Sequence, residues 1–131
     1  MNNYNLENFR DDLSKFGIVL SEAQEKQFIR YYELLVEWNE FMNLTAITEW
    51  NEVLKKHFVD SVSLIQLLPE VKDKELSVID IGTGAGFPGI PLKIVFPELK
   101  VTLADSLNKR VLFLLSLLEV QHIGSRYRAM E

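Results

Sequence analysis

Asp80-Ile-Gly-Thr-Gly-Ala-Gly-Phe-Pro-Gly89 decides the fold. It grows out of Leu76-Ser-Val-Ile-Asp-Ile81, a short β-rich run bounded by a glycine cluster, which reads as a buried strand. Beyond the glycines, residues 89–96 suit a helix whose start is marked by Pro88 and Pro91 and whose end is marked by Pro97. Lys100-Val-Thr-Leu-Ala104 is a second strand, and Ser106 or Asn108 opens a further helix over about 107–120. Strand, glycine loop, helix, strand and helix in that order begin a parallel α/β sheet.

Upstream the period changes to that of helices. Leu6, Phe9, Leu13 and Phe16 recur at helical spacing, and Gly17 stands where a helix-ending glycine belongs. Ser21-Glu-Ala-Gln24 matches a capping box, from which a helix runs to about Met42 on the stripe Phe28, Tyr31, Tyr32, Leu35, Trp38 and Met42. Asn39 to Thr48, including Asn43-Leu-Thr45, reads as a structured turn. Thr48 is the expected N-cap of a third helix through about Leu68, ended by Pro69. The organisation expected is a helical region over 1–68 and an α/β region over 69–131, with 69–75 as the seam.

Composition narrows the function. Of 131 residues, 47% are apolar and 25% charged, which is ordinary for a globular domain. The absence of cysteine removes disulfides, thiolate metal sites and a cysteine nucleophile, and it fits a reducing cytoplasm. The polar, acidic start is no signal peptide, and the apolar stretch Val111–Val120 is too short to span a bilayer. Residues 1–75 hold eight Lys/Arg against fourteen Asp/Glu, whereas 76–131 hold six against five. That leaves only short basic clusters, Lys55-Lys56-His57, Lys109-Arg110 and Arg126/Arg128, rather than the basic stripe usual in autonomous nucleic-acid binders, and argues mildly against strong autonomous binding.

Two cofactor chemistries compete for the glycine loop. Gly84-Ala-Gly86-Phe-Pro-Gly89 satisfies the dinucleotide spacing G-x-G-x-x-G and would suit an NAD-binding oxidoreductase. The acidic Asp80 ahead of alternating Gly82, Gly84 and Gly86 instead resembles motif I of class I methyltransferases, whose S-adenosylmethionine has no pyrophosphate. Pro88 and Pro91 deprive the first helical turn of amide donors, which suits the second alternative. Asp105 ends the second strand, where an acidic side chain accepts ribose hydroxyls; its competing reading is a helix N-cap. His57 and Asp60, three apart on one helical face, read as a structural pair docking the helices on the α/β part, and Trp38 as core.

Four segments carry a family resemblance: VEWNEFMNLTAIT (36–48), KHFVDS (56–61), DIGTGAGFPGIPLKI (80–94) and DSLNKRVLFL (105–114). The chain resembles the RsmG (GidB) family of bacterial 16S rRNA guanine-N7 methyltransferases. The resemblance implies S-adenosylmethionine as methyl donor, guanine N7 in 16S rRNA of the small ribosomal subunit as acceptor, and a cytoplasmic location. It implies cofactor contacts at Asp80, Gly82, Gly84, Gly86, Phe87 and Asp105, and an adenine-side contact at Ala129. Lys109 and Arg110 correspond to the family's basic pair near RNA phosphate, and no metal is implied. Family members are longer, so the expected fold is a helical cap followed by the incomplete start of a Rossmann-like sheet. Such a chain could instead be a non-catalytic cofactor-binding or assembly fragment. Two strands with open edges, and a helix 107–120 apolar almost all round, lead to the expectation of self-association there.

Overall fold

The computed structural model describes residues 4–67, 76–105, 108–121 and 126–129. Helix α1 (Glu7–Ser14) and helix α2 (Glu22–Met42) lie where the periodicity places them. Ser21 and Gln24 form the full capping box, and Asn43 closes α2 in the left-handed conformation. The same Gln24 side chain also donates to the carbonyls of Ile94 and Val95, at 2.9 and 3.3 Å. One glutamine therefore caps the start of α2 and the end of a helix some 70 residues away.

The third helical stretch departs from expectation. It opens at α3 (Trp50–Val53), capped by the Glu49 carboxylate on Glu52 N–H rather than by Thr48. It then widens into a π-helical segment (Leu54–Val59), returns to α4 (Asp60–Val62) and closes as a 3-10 turn (Ser63–Gln66). The Ser61 hydroxyl donates to the His57 carbonyl at 2.5 Å, just where the π turn gives way to α4. The expected seam at 69–75 lies outside the described residues.

Strand β1 (Ser77–Ile81), helix α5 (Gly89–Val95), strand β2 (Lys100–Asp105) and helix α6 (Asn108–Gln121) follow in the expected order. A third strand, β3 (Arg126–Ala129), corrects the two-strand expectation: the sheet is β1-β2-β3, parallel throughout. Both edges of β2 are therefore paired. β1 is not a buried strand but a one-faced one. Its alternate residues Ile79 and Ile81 are 54% and 68% exposed, because α5, α6 and the helical cap all pack towards the other face. The apolar α6 is likewise not left open: Phe113, Leu114, Leu117 and Leu118 are buried, and α6 packs on α2, β2 and β3. One apolar cluster runs from Phe9 and Leu13 through Phe28, Tyr31, Leu35 and Phe58 to Ile90, Ile94 and Leu103, so the helical region and the sheet share a core.

Candidate functional site

The parallel register ends Ile81 beside Ala104 and Asp105 beside Ala129, so the carboxyl ends of all three strands form one edge. In parallel sheets that edge is where ligands bind. The glycine loop folds over it, and the amides of Gly82, Thr83, Gly84, Gly86 and Gly89 all donate within the protein. Gly82 and Thr83 both donate to the Ala104 carbonyl, at 2.8 and 3.0 Å, and Gly84 N–H donates to Asp105 Oδ2 at 2.8 Å. Asp80 Oδ2 accepts from the Thr83 hydroxyl at 2.6 Å and from Gly89 N–H at 3.0 Å. Gly86 N–H donates to Thr83 O and Ile90 N–H to Gly86 O, at 3.0 and 2.8 Å. With Pro88 and Pro91 lacking an N–H, the start of α5 has its donors spent.

Two carboxylates thus border the loop from adjacent strand ends. Burial pushes the Asp80 carboxyl above its ordinary value, opposed by the Thr83 and Gly89 hydrogen bonds. Asp105 is only 2% exposed, and Arg110 Nη1 lies 3.6 Å from its other oxygen. Arg110 therefore turns its charge towards the loop. Lys109 stands beside it in the first turn of α6.

The glycines sort into two kinds. At Gly82 (φ +71) and Gly84 (φ +58) a Cβ would meet nothing within 4 Å, so these positions face open space. At Gly86 (φ +96) a Cβ would stand 2.6 Å from Ile90 Cδ1 and 2.7 Å from the Tyr31 hydroxyl. At Gly89 it would meet Leu103 at 2.6 Å and Asp80 at 3.1 Å. Gly82 and Gly84 leave room for a ligand; Gly86 and Gly89 leave room for the protein itself.

Phe87 joins the loop to the helical region. Its ring stacks on His57 at 4.4 Å and 13°, and on Tyr31 at 5.7 Å and 27°. His57 Nε2 lies 2.9 Å from the Thr45 hydroxyl, which also accepts from Ile47 N–H. The expected His57–Asp60 pair is replaced by this longer-range contact; Asp60 acts on the imidazole through its charge, while burial holds the ring below its ordinary pKa. The fold brings the expected residues Asp80, Gly82, Gly84, Gly86, Phe87 and Asp105 together around the loop. Ala129 reaches the same edge through its register with Asp105. Tyr31 and Thr45 were missed, as was the second bond of Gln24 to the end of α5, although its capping-box role was legible. Tyr31 read as part of an apolar stripe, and the one signal was its hydroxyl, which a buried position obliges to find an acceptor.

Two hollows of about 370 and 420 Å³ lie elsewhere, on the α1 side, lined by mixed charges such as Asp11, Asp12, Lys15 and Lys55 in one and Arg10 and Glu25 in the other. Among the described residues, no helix is long and apolar enough to cross a membrane, and no group of acidic or histidine side chains could hold a metal ion.

The family model "rRNA small subunit methyltransferase G" (GidB) matches residues 24–125. Curated relatives named ribosomal RNA small subunit methyltransferase G include one from Lactococcus lactis subsp. lactis (strain IL1403), 60% identical over 111 residues that cover 85% of this chain and 46% of that protein. Another, from Limosilactobacillus reuteri (strain DSM 20016), is 56% identical over 84% of this chain and 46% of its own length. A third, from Lachnoclostridium phytofermentans, is 51% identical over 94% of this chain and 51% of its own length. The chain spans about half the length of the curated relatives it matches.

Proposed function

This chain belongs to the rRNA small subunit methyltransferase G (GidB) family, and from that premise we propose that its glycine loop binds S-adenosylmethionine for methyl transfer to N7 of a guanine in 16S rRNA. The observation that carries the cofactor reading is the state of the loop amides. Gly82, Thr83, Gly84, Gly86, Gly89 and Ile90 all donate inside the protein, and two carboxylates flank them. A pyrophosphate needs free amides and a helix N-terminus with donors to offer, and it is repelled by carboxylates. A sulfonium with an α-amino group meets the opposite electrostatics. The same loop therefore disfavours NAD.

In this reading the open faces of Gly82 and Gly84 receive the amino-acid and ribose portions. Asp105 exchanges its Gly84 hydrogen bond for ribose hydroxyls while Arg110 steadies its other oxygen. Phe87 and Ala129 border the cofactor, and Asp80 with Gly86 keeps the loop's shape. Lys109 meets RNA phosphate, with Arg110 beside it contributing to that positive end. When bound, the cofactor supplies a methyl group on a good leaving group: the N7 lone pair forms the new bond as the carbon–sulfur bond breaks, leaving a neutral thioether and a cationic base. No proton moves, so no general base is required of the protein, and catalysis is alignment. The ribosomal substrate places the reaction in the cytoplasm.

Titration calorimetry tests the first step. S-adenosylhomocysteine should bind and NAD should not; binding of NAD alone would overturn the reading. Transfer of labelled methyl to small ribosomal subunits then tests the second.

A further inference from the structure

We propose that Tyr31 is a positioning residue for the cofactor loop, acting from the helical region through the Ala85 carbonyl. Tyr31 lies mid-way along α2 and is fully buried, yet its hydroxyl reaches a peptide 54 residues away and donates to Ala85 O at 2.5 Å. Ala85 is itself only 4% exposed, so no water replaces that donor if it is lost. Burial holds the phenol well above its ordinary pKa, with the Asp80 charge adding to the effect, so Tyr31 remains the donor.

The loop is shaped around this contact. The hydroxyl lies 2.7 Å from where a Gly86 Cβ would stand, beside Ile90 Cδ1 at 2.6 Å, so glycine at 86 makes room for the tyrosine and Ile90 rather than for the ligand. One residue further, the Phe87 ring lies on the Tyr31 ring, with His57 stacked on Phe87 as well. Holding Ala85 and Phe87 from behind fixes the direction in which the open faces of Gly82 and Gly84 point. The helical region thus sets the pose of the cofactor loop, which gives α2 a part in binding that its sequence pattern conceals. The cofactor's identity in this inference rests on the reading proposed above; the Tyr31–loop link does not.

Tyr31→Phe keeps the ring and removes the donor. Phe9→Leu, in the same core but on α1, serves as a control for general loosening. In Tyr31→Phe, S-adenosylhomocysteine should bind about tenfold more weakly by calorimetry, a change that a matched loss of core packing does not produce. Amide hydrogen exchange should quicken across 82–89 while 7–14 keeps its rate relative to Phe9→Leu. Unchanged affinity in Tyr31→Phe, or an equal loss in Phe9→Leu, would reduce Tyr31 to a packing residue and overturn the proposal. If the unaltered chain binds no S-adenosylhomocysteine, the cofactor reading fails by itself, and the exchange rates across 82–89 decide the Tyr31 link: unchanged rates sink it.

Discussion

The glycines of one loop do different work, and substitutions should separate them. Gly84→Ala adds a methyl to open space, so its folding cost is that of the left-handed backbone alone, about 1–2 kcal/mol. Gly86→Ala adds to the same strain two contacts near 2.6–2.7 Å, with Ile90 and Tyr31, and should cost at least about 1 kcal/mol more through overpacking. Denaturant unfolding measures both; equal costs would contradict the sorting. Gly84→Ala should nonetheless be the more damaging to cofactor affinity for the stability it loses. His57 gives a pH-dependent counterpart. Its folded pKa lies below the ordinary value near 6.5 because burial disfavours the charged ring. The neutral ring's contribution to stability is therefore present above about pH 6.5 and is lost as pH falls through the lower, folded pKa. A histidine NMR titration should place the His57 midpoint below the usual value, and His57→Gln should flatten the fall in stability below about pH 6.5. At this scale the sequence was legible wherever residue type and spacing encode backbone need, as in Asp80 and the glycines. It was silent on Tyr31 and Thr45, whose partners Ala85 and His57 are chosen by packing between distant segments.

Elements were legible in proportion to how far local rules decide them. The capping box placed Ser21 and Gln24 correctly, and α2 ends at Met42 as its stripe implied. The same rules do not say that the Gln24 amide has a hydrogen left for the end of α5. Gln24→Ala removes a box partner and a cap on a second helix together, and should cost more than about 1 kcal/mol, the typical cost of a single cap. Adding Ser21→Ala should then cost less than it does alone, because the box is already broken. Additive losses in chemical denaturation would mean that the two caps act independently. The stretch after Glu49 shows the opposite limit. Its residues form a continuous helical run, and periodicity predicted one helix. Yet a π segment inserts at Leu54–Val59, letting the adjacent His57 and Phe58 both reach the Phe87 ring. The bond at its end, from Ser61 to the His57 carbonyl, is local but optional, and propensity does not foretell it. β3 escaped notice because Arg126–Ala129 is short and lacks an apolar alternation; it is a strand because β2 offers it an edge.

At the scale of the whole molecule, the described helices gather on one face of the sheet and the candidate site lies along its carboxyl edge. The helical region is no separable cap: it shares the core, closes α5 through Gln24 and holds the loop through Tyr31 and Phe87. That arrangement leaves the other face of β1 bare. The expectation was self-association through α6 and the open sheet edges; α6 is packed against α2 and the sheet, which leaves only the edges to carry that expectation. Ile79 and Ile81 are both more than half exposed on a strand that, among the described residues, pairs only with β2. An apolar face beside an unpaired strand edge is the usual template for pairing with another chain. Sedimentation velocity over a range of concentrations should show reversible association of the unaltered chain. Ile81→Lys should shift the species towards monomer while leaving the unfolding midpoint nearly unchanged, since a side chain 68% exposed contributes little to the core. Leu112→Lys, on the exposed side of α6, provides the contrast, because Leu112 is 57% exposed but lies on a helix, which offers no strand edge for pairing. Association abolished by the α6 change and untouched by the β1 change would return the interface to the helix. The reverse result locates it on the edge where a parallel sheet still has hydrogen bonds to give.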